Sequence, residues 1–183
     1  MQKGYVHVVY LVSTLGRSGP TQQLLNLIRY LDPHTFRVSI VTLTREPTQT
    51  LKEVFLNLTV SHYCLESSTI FNYVFLKRRL RNLLSSIRPD IVHSQGFRAD
   101  MLSSMLGCVW PRIATQRNDP FEDYPALYGF VKGQIMAKLH IAALGRIPRV
   151  VTCSETLTKK NLEYRLKSQF IRNGVEFSQP NTA

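Results

Sequence analysis

The chain alternates short apolar runs with longer segments whose apolar residues recur at helical spacing. The first run, residues 5–12, is rich in valine and nearly continuous, which is typical of a strand buried on both faces. The next segment predicts an amphipathic helix with Thr21 as its N-cap. Its apolar residues lie at i, i+3, i+4 and i+7: Leu24, Leu27, Ile28 and Leu31.

The same alternation continues to the end of the chain. Further strands are predicted at 38–43, 60–65, 90–94, 112–115, 149–153 and 169–172. Helices are predicted at 51–56, 70–87, around 101–106, at 124–144 and from a Ser154 cap to about residue 164. The pattern therefore predicts an α/β fold, with one parallel sheet of about six or seven strands and helices on both faces.

The loops that follow the strands are the expected site of function. Right-handed crossovers bring all strand-to-helix loops of a parallel sheet to one edge, where ligands of such sheets bind. We therefore expect five loop residues to lie along one edge: Gly16, Gly19, Gln95, Arg117 and Ser154.

The first of these loops has the position of a phosphate-binding loop, between strand one and helix one. Its spacing is G-x-x-G (Gly16, Gly19), and strand two is followed by Thr44 and Arg45 instead of a carboxylate. Both features argue against a nicotinamide-dependent dehydrogenase. The chain also lacks a Walker lysine. The alternative reading is that the two glycines serve only a tight turn.

Candidate catalytic side chains are few. Ser94, His93 and Asp100 allow a Ser-His-Asp arrangement on paper, but nothing like a nucleophile elbow surrounds the serine. We expect His93 to be a half-buried side chain with its hydrogen bonds satisfied. Asp119 and the acidic residues after it are expected to cap the following helix.

The charge is unusual, with 23 Lys and Arg against 12 Asp and Glu and a net charge of +11. Such a surface attracts polyanions. Four cations crowd the predicted third helix: Lys77, Arg78, Arg79 and Arg81. They are either an ordinary solvated face or a surface for an anionic membrane. Because no nucleic-acid recognition signature is present, we expect no nucleic-acid partner.

The cysteines Cys64, Cys108 and Cys153 are far apart and form no metal-binding pattern. We therefore expect reduced, mostly buried thiols in a cytoplasmic protein, and no metal site. The N-terminus shows no signal peptide, since its apolar run stops at Ser13.

Four stretches in order resemble the N-terminal domain of family 4 retaining glycosyltransferases of the two-domain GT-B group. They are SGPTQQLLNL (18–27), PDIVHSQG (89–96), VVTCSE (150–155) and IRNGVE (171–176). The resemblance implies a Rossmann-like, acceptor-side half over residues 1–177. Residues 178–183 would then begin a linker or tail, and the C-terminal donor-binding domain would be absent.

The resemblance also implies a function. The domain would belong to a retaining hexosyltransferase that moves sugar from a nucleotide sugar to a glycan or lipid-linked acceptor in cell-surface polysaccharide synthesis. No other cofactor is implied, and the fragment alone is expected to be inactive. The implied location is cytoplasmic, with peripheral contact at the inner face of the membrane. Substrate-binding positions are Gly16, Ser18, Gly19, His93, Gln95, Arg117, Ser154, Asn173 and Gly174.

The chain departs from the family pattern at three places. Ser18 and Thr21 stand where the family often has a glycine and a glutamate, and Gln95 stands where a second histidine is common. Arg117 takes the position of a histidine that contacts the transferred sugar. Two alternatives stay open: a non-catalytic Rossmann-like module that binds an anionic ligand, and an epimerase or other GT-B relative.

Overall fold

A computed structural model describes residues 4–66 and 73–174. Seven parallel strands form one sheet in the order β3-β2-β1-β4-β5-β6-β7. The strands are β1 Val6–Val12, β2 Phe36–Thr42, β3 Ser61–Cys64, β4 Ile91–Gln95, β5 Arg112–Gln116, β6 Arg149–Thr152 and β7 Gln169–Phe170. The predicted Rossmann-like parallel sheet is confirmed.

Helices cover both faces of this sheet. They are α1 Gly19–Arg29, α2 Lys52–Leu56, α3 Tyr73–Ile87, α4 Phe97–Ser104, α5 Pro120–Tyr128, α6 Phe130–Leu144 and α7 Glu155–Glu163. Buried side chains of α1 and α2 pack on one face of β1 and β2, and those of α3 and α4 pack on the other. The predicted start of the third helix, 70–72, and the proposed tail at 178–183 lie outside the described residues.

The cap of α1 differs from the prediction. Ser18 is the N-cap, and its Oγ accepts a hydrogen bond from the Thr21 backbone N at 3.3 Å. Thr21 is itself a buried residue within the first turn. The helix begins earlier because Pro20, which has no N–H to satisfy and a φ preset for a helix, fits the first turn.

The predicted helix at 124–144 is wrong in its extent, since the structure has two helices there. The helix α5 begins at Pro120, where Asp119 Oδ1 accepts from the Phe121 N at 2.9 Å, so the predicted acidic cap is confirmed. The chain then turns at Gly129, whose φ of +83° is a conformation that glycine adopts without strain. At the crossing of α5 and α6, a Cβ on Gly133 would lie 2.3 Å from Pro125 N.

A buried polar network ties the α5–α6 pair to the sheet. The Asp100 carboxylate accepts from Ser94 Oγ at 2.6 Å and contacts His140 Nε2 at 3.0 Å. His140 Nδ1 lies 2.7 Å from the Tyr124 hydroxyl. With its proton on Nε2, a neutral imidazole donates to the carboxylate and accepts from the tyrosine. Burial, followed by the Asp100 charge, raises the pKa of Tyr124.

This network excludes the Ser-His-Asp arrangement considered from the sequence. Ser94 is fully buried, with its hydroxyl committed to Asp100. His93, its neighbour in the strand, points to the opposite face of the sheet, because successive strand residues alternate. The Ser94 hydroxyl is therefore a structural group.

The three thiols lie at the ends of elements and not in the core. Cys64 and Cys153 are half-buried and Cys108 is exposed, so the prediction of mostly buried thiols is wrong. Cys64 ends the edge strand β3, and Cys108 lies in the turn before β5, where neighbours cover only one side. Within residues 4–66 and 73–174, no helix is long and apolar enough to cross a membrane.

Replacing Asp100 with alanine removes the acceptor shared by Ser94 and His140. We expect Asp100→Ala to lower the free energy of unfolding by about 2–4 kcal/mol, because two buried donors each lose their acceptor at a cost of about 1–3 kcal/mol. Urea denaturation measures this loss. Glu163→Gln, an exposed acid on α7, is the control and should change stability by less than about 0.5 kcal/mol. A loss below about 1 kcal/mol for Asp100→Ala would contradict the assigned role.

Candidate functional site

The carboxyl ends of the strands gather the predicted site residues at one edge of the sheet. Because the strands are parallel, the loops that follow them open on the same side. The placement predicted for this edge is therefore confirmed for Gly16, Gly19, Gln95, Arg117 and Ser154. Their roles in binding stay predictions.

A hydrogen-bonded cluster joins three of these strand ends. Arg117 follows β5, and its Nη1 donates to Asn173 Oδ1 at 2.5 Å, beyond β7. Its Nη2 lies 3.5 Å from Oε1 of Gln95, the last residue of β4. Arg117 Nε and Gln95 Nε2 are buried and have no hydrogen-bond partner within residues 4–66 and 73–174. The cluster thus holds two N–H groups that are ready to donate to a ligand oxygen.

Arg117 remains a cation in this setting. Burial lowers the pKa of its guanidinium, while the nearby Cys153 acts in the opposite direction. Because the ordinary arginine value is above 12, a lowered pKa still leaves the group charged at neutral pH. Arg117 therefore supplies a half-buried positive charge at the strand ends.

His93 lies beside this cluster as a neutral side chain. Its Nε2 is 2.7 Å from Thr115 Oγ1, and its ring centre is 5.1 Å from that of Tyr10. Burial, and then the charge of Arg117, lowers the pKa of His93 to about 4. The expectation of a half-buried, hydrogen-bonded histidine is confirmed. A base this weak is unsuited to proton transfer at neutral pH.

An open cavity of about 470 Å³ lies on the α1 side of β4, β5 and β6. Its lining includes His93, Arg117, Asn173 and Gly174, with further polar side chains from Gln23, Asn26, Thr115 and Arg172. Its other side is apolar and comes from α1, the strands and the segment after β7: Leu27, Tyr30, Leu31, Ile113, Val151 and Ile171. Four of the predicted site residues therefore share one cavity.

The two glycines of the first loop have different surroundings. A Cβ on Gly16 would lie 3.0 Å from Pro47 Cγ and 3.4 Å from Thr14 Oγ1, so packing explains this glycine. A Cβ on Gly19 would meet nothing within 4 Å. Gly16, Ser18 and Gln95 line a second cavity of about 290 Å³ at the start of α1. Packing thus explains Gly16 and leaves Gly19 without a packing reason, and the binding roles of both stay predictions.

Glu46 organises the first loop and was missed from the sequence. Its Oε2 accepts from the Leu15 backbone N at 2.8 Å and from Thr50 Oγ1 at 2.9 Å. The contact spans 31 residues, from the loop after β2 to the loop after β1. No motif marks it, because an isolated glutamate in a polar loop gives no periodic signal.

The Ser154 hydroxyl mainly caps the helix that follows it, α7. Its Oγ accepts from the Leu157 backbone N at 3.2 Å, which caps α7. It also lines a shallow cavity with Asn173 and Arg172. Its hydroxyl therefore has a structural partner already, and Asn173 is the residue that this cavity shares with the Arg117 cluster.

The four cations of α3 do not form a single surface. Arg79 donates to the Leu65 backbone oxygen at 2.6 Å and lies over the Phe75 ring at 5.4 Å. Of the other three cations, Lys77 is half-buried, and Arg78 and Arg81 are exposed. The membrane-facing role predicted for the four stays a prediction, and it rests on Arg78 and Arg81.

The neutral state of His93 predicts a pH effect on stability. The unfolded histidine has a pKa near 6.5 and the folded one about 4, so protons favour the unfolded chain between these values. The stability from this site is complete above pH 6.5 and falls by about 3 kcal/mol toward pH 4. Denaturation curves of His93→Asn should lack this loss, while the exposed control His34→Gln should keep it. Equal pH profiles for all three proteins would contradict the neutral assignment.

The glycine surroundings predict opposite outcomes for the same change. Gly16→Ala should lower the free energy of unfolding by about 1–2 kcal/mol, because Pro47 and Thr14 must move. Gly19→Ala should leave the free energy of unfolding unchanged or raise it by a few tenths of a kcal/mol, since alanine is the better helix former in open space. Urea denaturation of the pair checks both, each serving as control for the other. A larger loss in Gly19→Ala would refute the assignment.

Solved structures with this fold come from several enzymes. Sucrose-phosphate synthase from Thermosynechococcus elongatus is 10% identical, with a TM-score of 0.72 over 93% of this chain and 49% of that one. HepE from Anabaena, solved in complex with UDP, is 10% identical, with a TM-score of 0.69 over 93% and 45%. UDP-N-acetylglucosamine 2-epimerase from Rickettsia bellii is 17% identical, with a TM-score of 0.65 over 92% and 45%. At these identities the likeness shows the fold alone.

The chain spans about half the length of these structures. No curated protein sequence matches it. The profile of Glycosyltransferase Family 4, in contrast, matches residues 17–179, from the first loop to beyond β7. The match includes the Arg117 cluster and all but one of the predicted site residues. The chain belongs to glycosyltransferase family 4.

Proposed function

We propose that this domain forms the acceptor-side wall of a retaining glycosyltransferase that moves a hexose from a nucleotide sugar to a glycan or lipid-linked acceptor. Membership in the family supports the enzyme class. The cluster of Gln95, Arg117 and Asn173 supports the site, since it holds two donors without a partner and two of its members, Arg117 and Asn173, line the open cavity. The biological setting we propose is cell-surface polysaccharide synthesis.

The chemistry of the cluster fits oxygen-rich ligands. Arg117 Nε and Gln95 Nε2 are unpaired donors, and a buried donor without a partner costs about 1–3 kcal/mol. A sugar hydroxyl or a phosphate oxygen that accepts these N–H groups recovers that cost. The guanidinium charge adds a preference for a phosphorylated ligand, such as the diphosphate of a lipid-linked acceptor.

His93 serves this proposal as a positioning group. Its neutral ring holds Thr115 and packs on Tyr10 beneath the cavity. Because the ring stays unprotonated at neutral pH, it adds no charge next to Arg117. We assign no catalytic residue within this domain, and we propose that reaction occurs in a cleft completed by a donor-binding domain.

We propose a cytoplasmic location with peripheral contact at the inner face of the membrane. Arg78 and Arg81 of α3 are exposed beside the apolar Val74 and Phe75, which suits an anionic headgroup surface. We propose that no cofactor takes part besides the nucleotide sugar. Chelators should therefore leave sugar transfer unchanged in an enzyme that has both this domain and a donor-binding domain.

Ligand binding by the 183-residue chain tests the proposal. The side-chain Nε–H signal of Arg117, read by nitrogen-15 NMR, should shift on addition of a short polyprenyl diphosphate-linked sugar. UDP-glucose should produce no comparable shift, and no sugar should be transferred by this chain alone. Arg117→Ala should weaken the affinity for the lipid-linked sugar by about ten-fold or more, the usual loss for a charge-assisted hydrogen bond.

Arg146→Ala is the matched control, because it removes an exposed arginine away from the cluster. Its affinity for the lipid-linked sugar should equal that of the unchanged chain. Two outcomes would overturn the proposal: tighter binding of UDP-glucose than of the lipid-linked sugar, or equal affinities for Arg117→Ala and Arg146→Ala.

A further inference from the structure

Six apolar side chains are exposed together where α5 ends and along α6. They are Leu127, Tyr128, Phe130, Val131, Ile135 and Leu139, and we call them the α5–α6 ridge. Phe130 and Val131, next to the turn at Gly129, are 73% and 71% exposed. Single exposed apolar residues are ordinary, but a contiguous group marks an interaction site.

Three members of the ridge, Val131, Ile135 and Leu139, lie on the outward side of α6, a helix that is apolar on both sides, and the others lie around the turn at Gly129. The buried residues of α6 follow one stripe that includes Gly133, Ala137 and His140. Val131, Ile135 and Leu139 recur every four residues on the opposite side, by the helical period. A helix with two apolar faces is covered on both when it is in its working environment.

Two lysines frame the ridge. Lys132 and Lys138 are exposed and lie about 60° on either side of Ile135, the middle of the three, at 100° per residue. The sequence of α6 contains no acidic residue. The outward side of α6 is therefore an apolar stripe with positive charge along both borders.

The turn between the two helices lies near the edge that carries the site. The helix α6 has 15 residues, about 22 Å, whereas the strand β6 that follows it has four residues, about 13 Å. Since α6 ends four residues before the amino end of β6, its first turn reaches the level of the carboxyl edge or passes it. From these lengths we infer that Phe130 and Val131 lie toward the end of the molecule that carries Arg117.

We propose that the α5–α6 ridge inserts into the headgroup region of an anionic lipid bilayer. The apolar stripe enters the boundary between headgroups and acyl chains, and Lys132 and Lys138 contact anionic headgroups. The net charge of +11 supports a lipid occupant. A second copy of the chain fits less well, because a two-fold contact through this stripe would set lysine borders against each other.

The inference rests on the proposed function for its purpose, since a membrane contact at this end brings a lipid-linked acceptor to the site. The contact itself is measurable without ligand or sugar transfer. Loss of lipid binding with intact NMR shifts at Arg117 would remove this inference alone. Intact lipid binding without those shifts would remove the proposed function alone.

Vesicle co-sedimentation of the 183-residue chain tests the contact. Vesicles of phosphatidylcholine with about one third phosphatidylglycerol should bind the chain, and pure phosphatidylcholine should bind it weakly. Phe130→Ser combined with Val131→Ser should lower the partition coefficient about ten-fold or more, because two large side chains lose their burial. Lys132→Gln combined with Lys138→Gln should lower binding only to the anionic vesicles. The difference in binding between this variant and the unchanged chain should shrink in high salt.

The control is Leu162→Ser, which removes a side chain that is 65% exposed on α7, outside the ridge. It should bind vesicles like the unchanged chain, and circular dichroism should show that all variants are folded. Arg78→Gln combined with Arg81→Gln measures the share of α3, which we expect to be smaller than that of the ridge. Equal binding by the ridge variant and Leu162→Ser would overturn the proposal.

A fluorescent probe measures insertion directly. Trp110→Phe removes the only tryptophan of the chain, and Phe130→Trp then places one in the ridge. Anionic vesicles should shift its emission to the blue, and brominated lipids should quench it. Analytical ultracentrifugation without lipid should show a monomer. An emission unchanged by vesicles, or a dimer that the ridge variant dissociates, would assign the ridge to another occupant and refute the proposal.

Discussion

The buried carboxylate of Asp100 is the constraint on which the packing of α5 and α6 against the sheet depends. An ionised carboxylate loses several kcal/mol of hydration on burial and recovers it only through well-placed donors. Ser94 of β4 and His140 of α6 provide the contacts, with Tyr124 of α5 behind the imidazole. Because these groups come from four elements, the network fixes both the distance and the rotation of α6.

The rotation of α6 has consequences on its two sides. Its buried residues are Gly133, Ala137, His140, Ala143 and Leu144, and the small ones allow α5 to cross so closely that Gly133 has no room for a Cβ. A slip of one residue would turn His140 away from Asp100 by about 100°. The outward side of α6 is therefore as strictly determined as the inward side, and the exposure of its apolar residues follows from the network.

The sequence predicted the sheet because strands buried on both faces and capped helices leave periodic signals over many residues. It placed the edge residues for the same reason, since topology alone brings Gln95 and Arg117 together. It missed contacts that depend on single side chains far apart in the chain, such as Glu46 with Leu15 and Asp100 with His140. It also predicted one continuous helix across Gly129, because apolar residues continue at helical spacing on both sides of the turn.

The cations and the ridge would act on a membrane over different distances. A surface charge is felt within a Debye length, about 8 Å at physiological salt, so Arg78 and Arg81 would attract the domain without fixing its orientation. An apolar side chain gains free energy only on contact, when water leaves both surfaces. In the proposed membrane contact, the ridge would therefore select one orientation among those that charge permits. Since the Asp100 network sets the direction of α6 relative to β4, a side-chain contact in the core would then determine which end of the sheet meets the lipid.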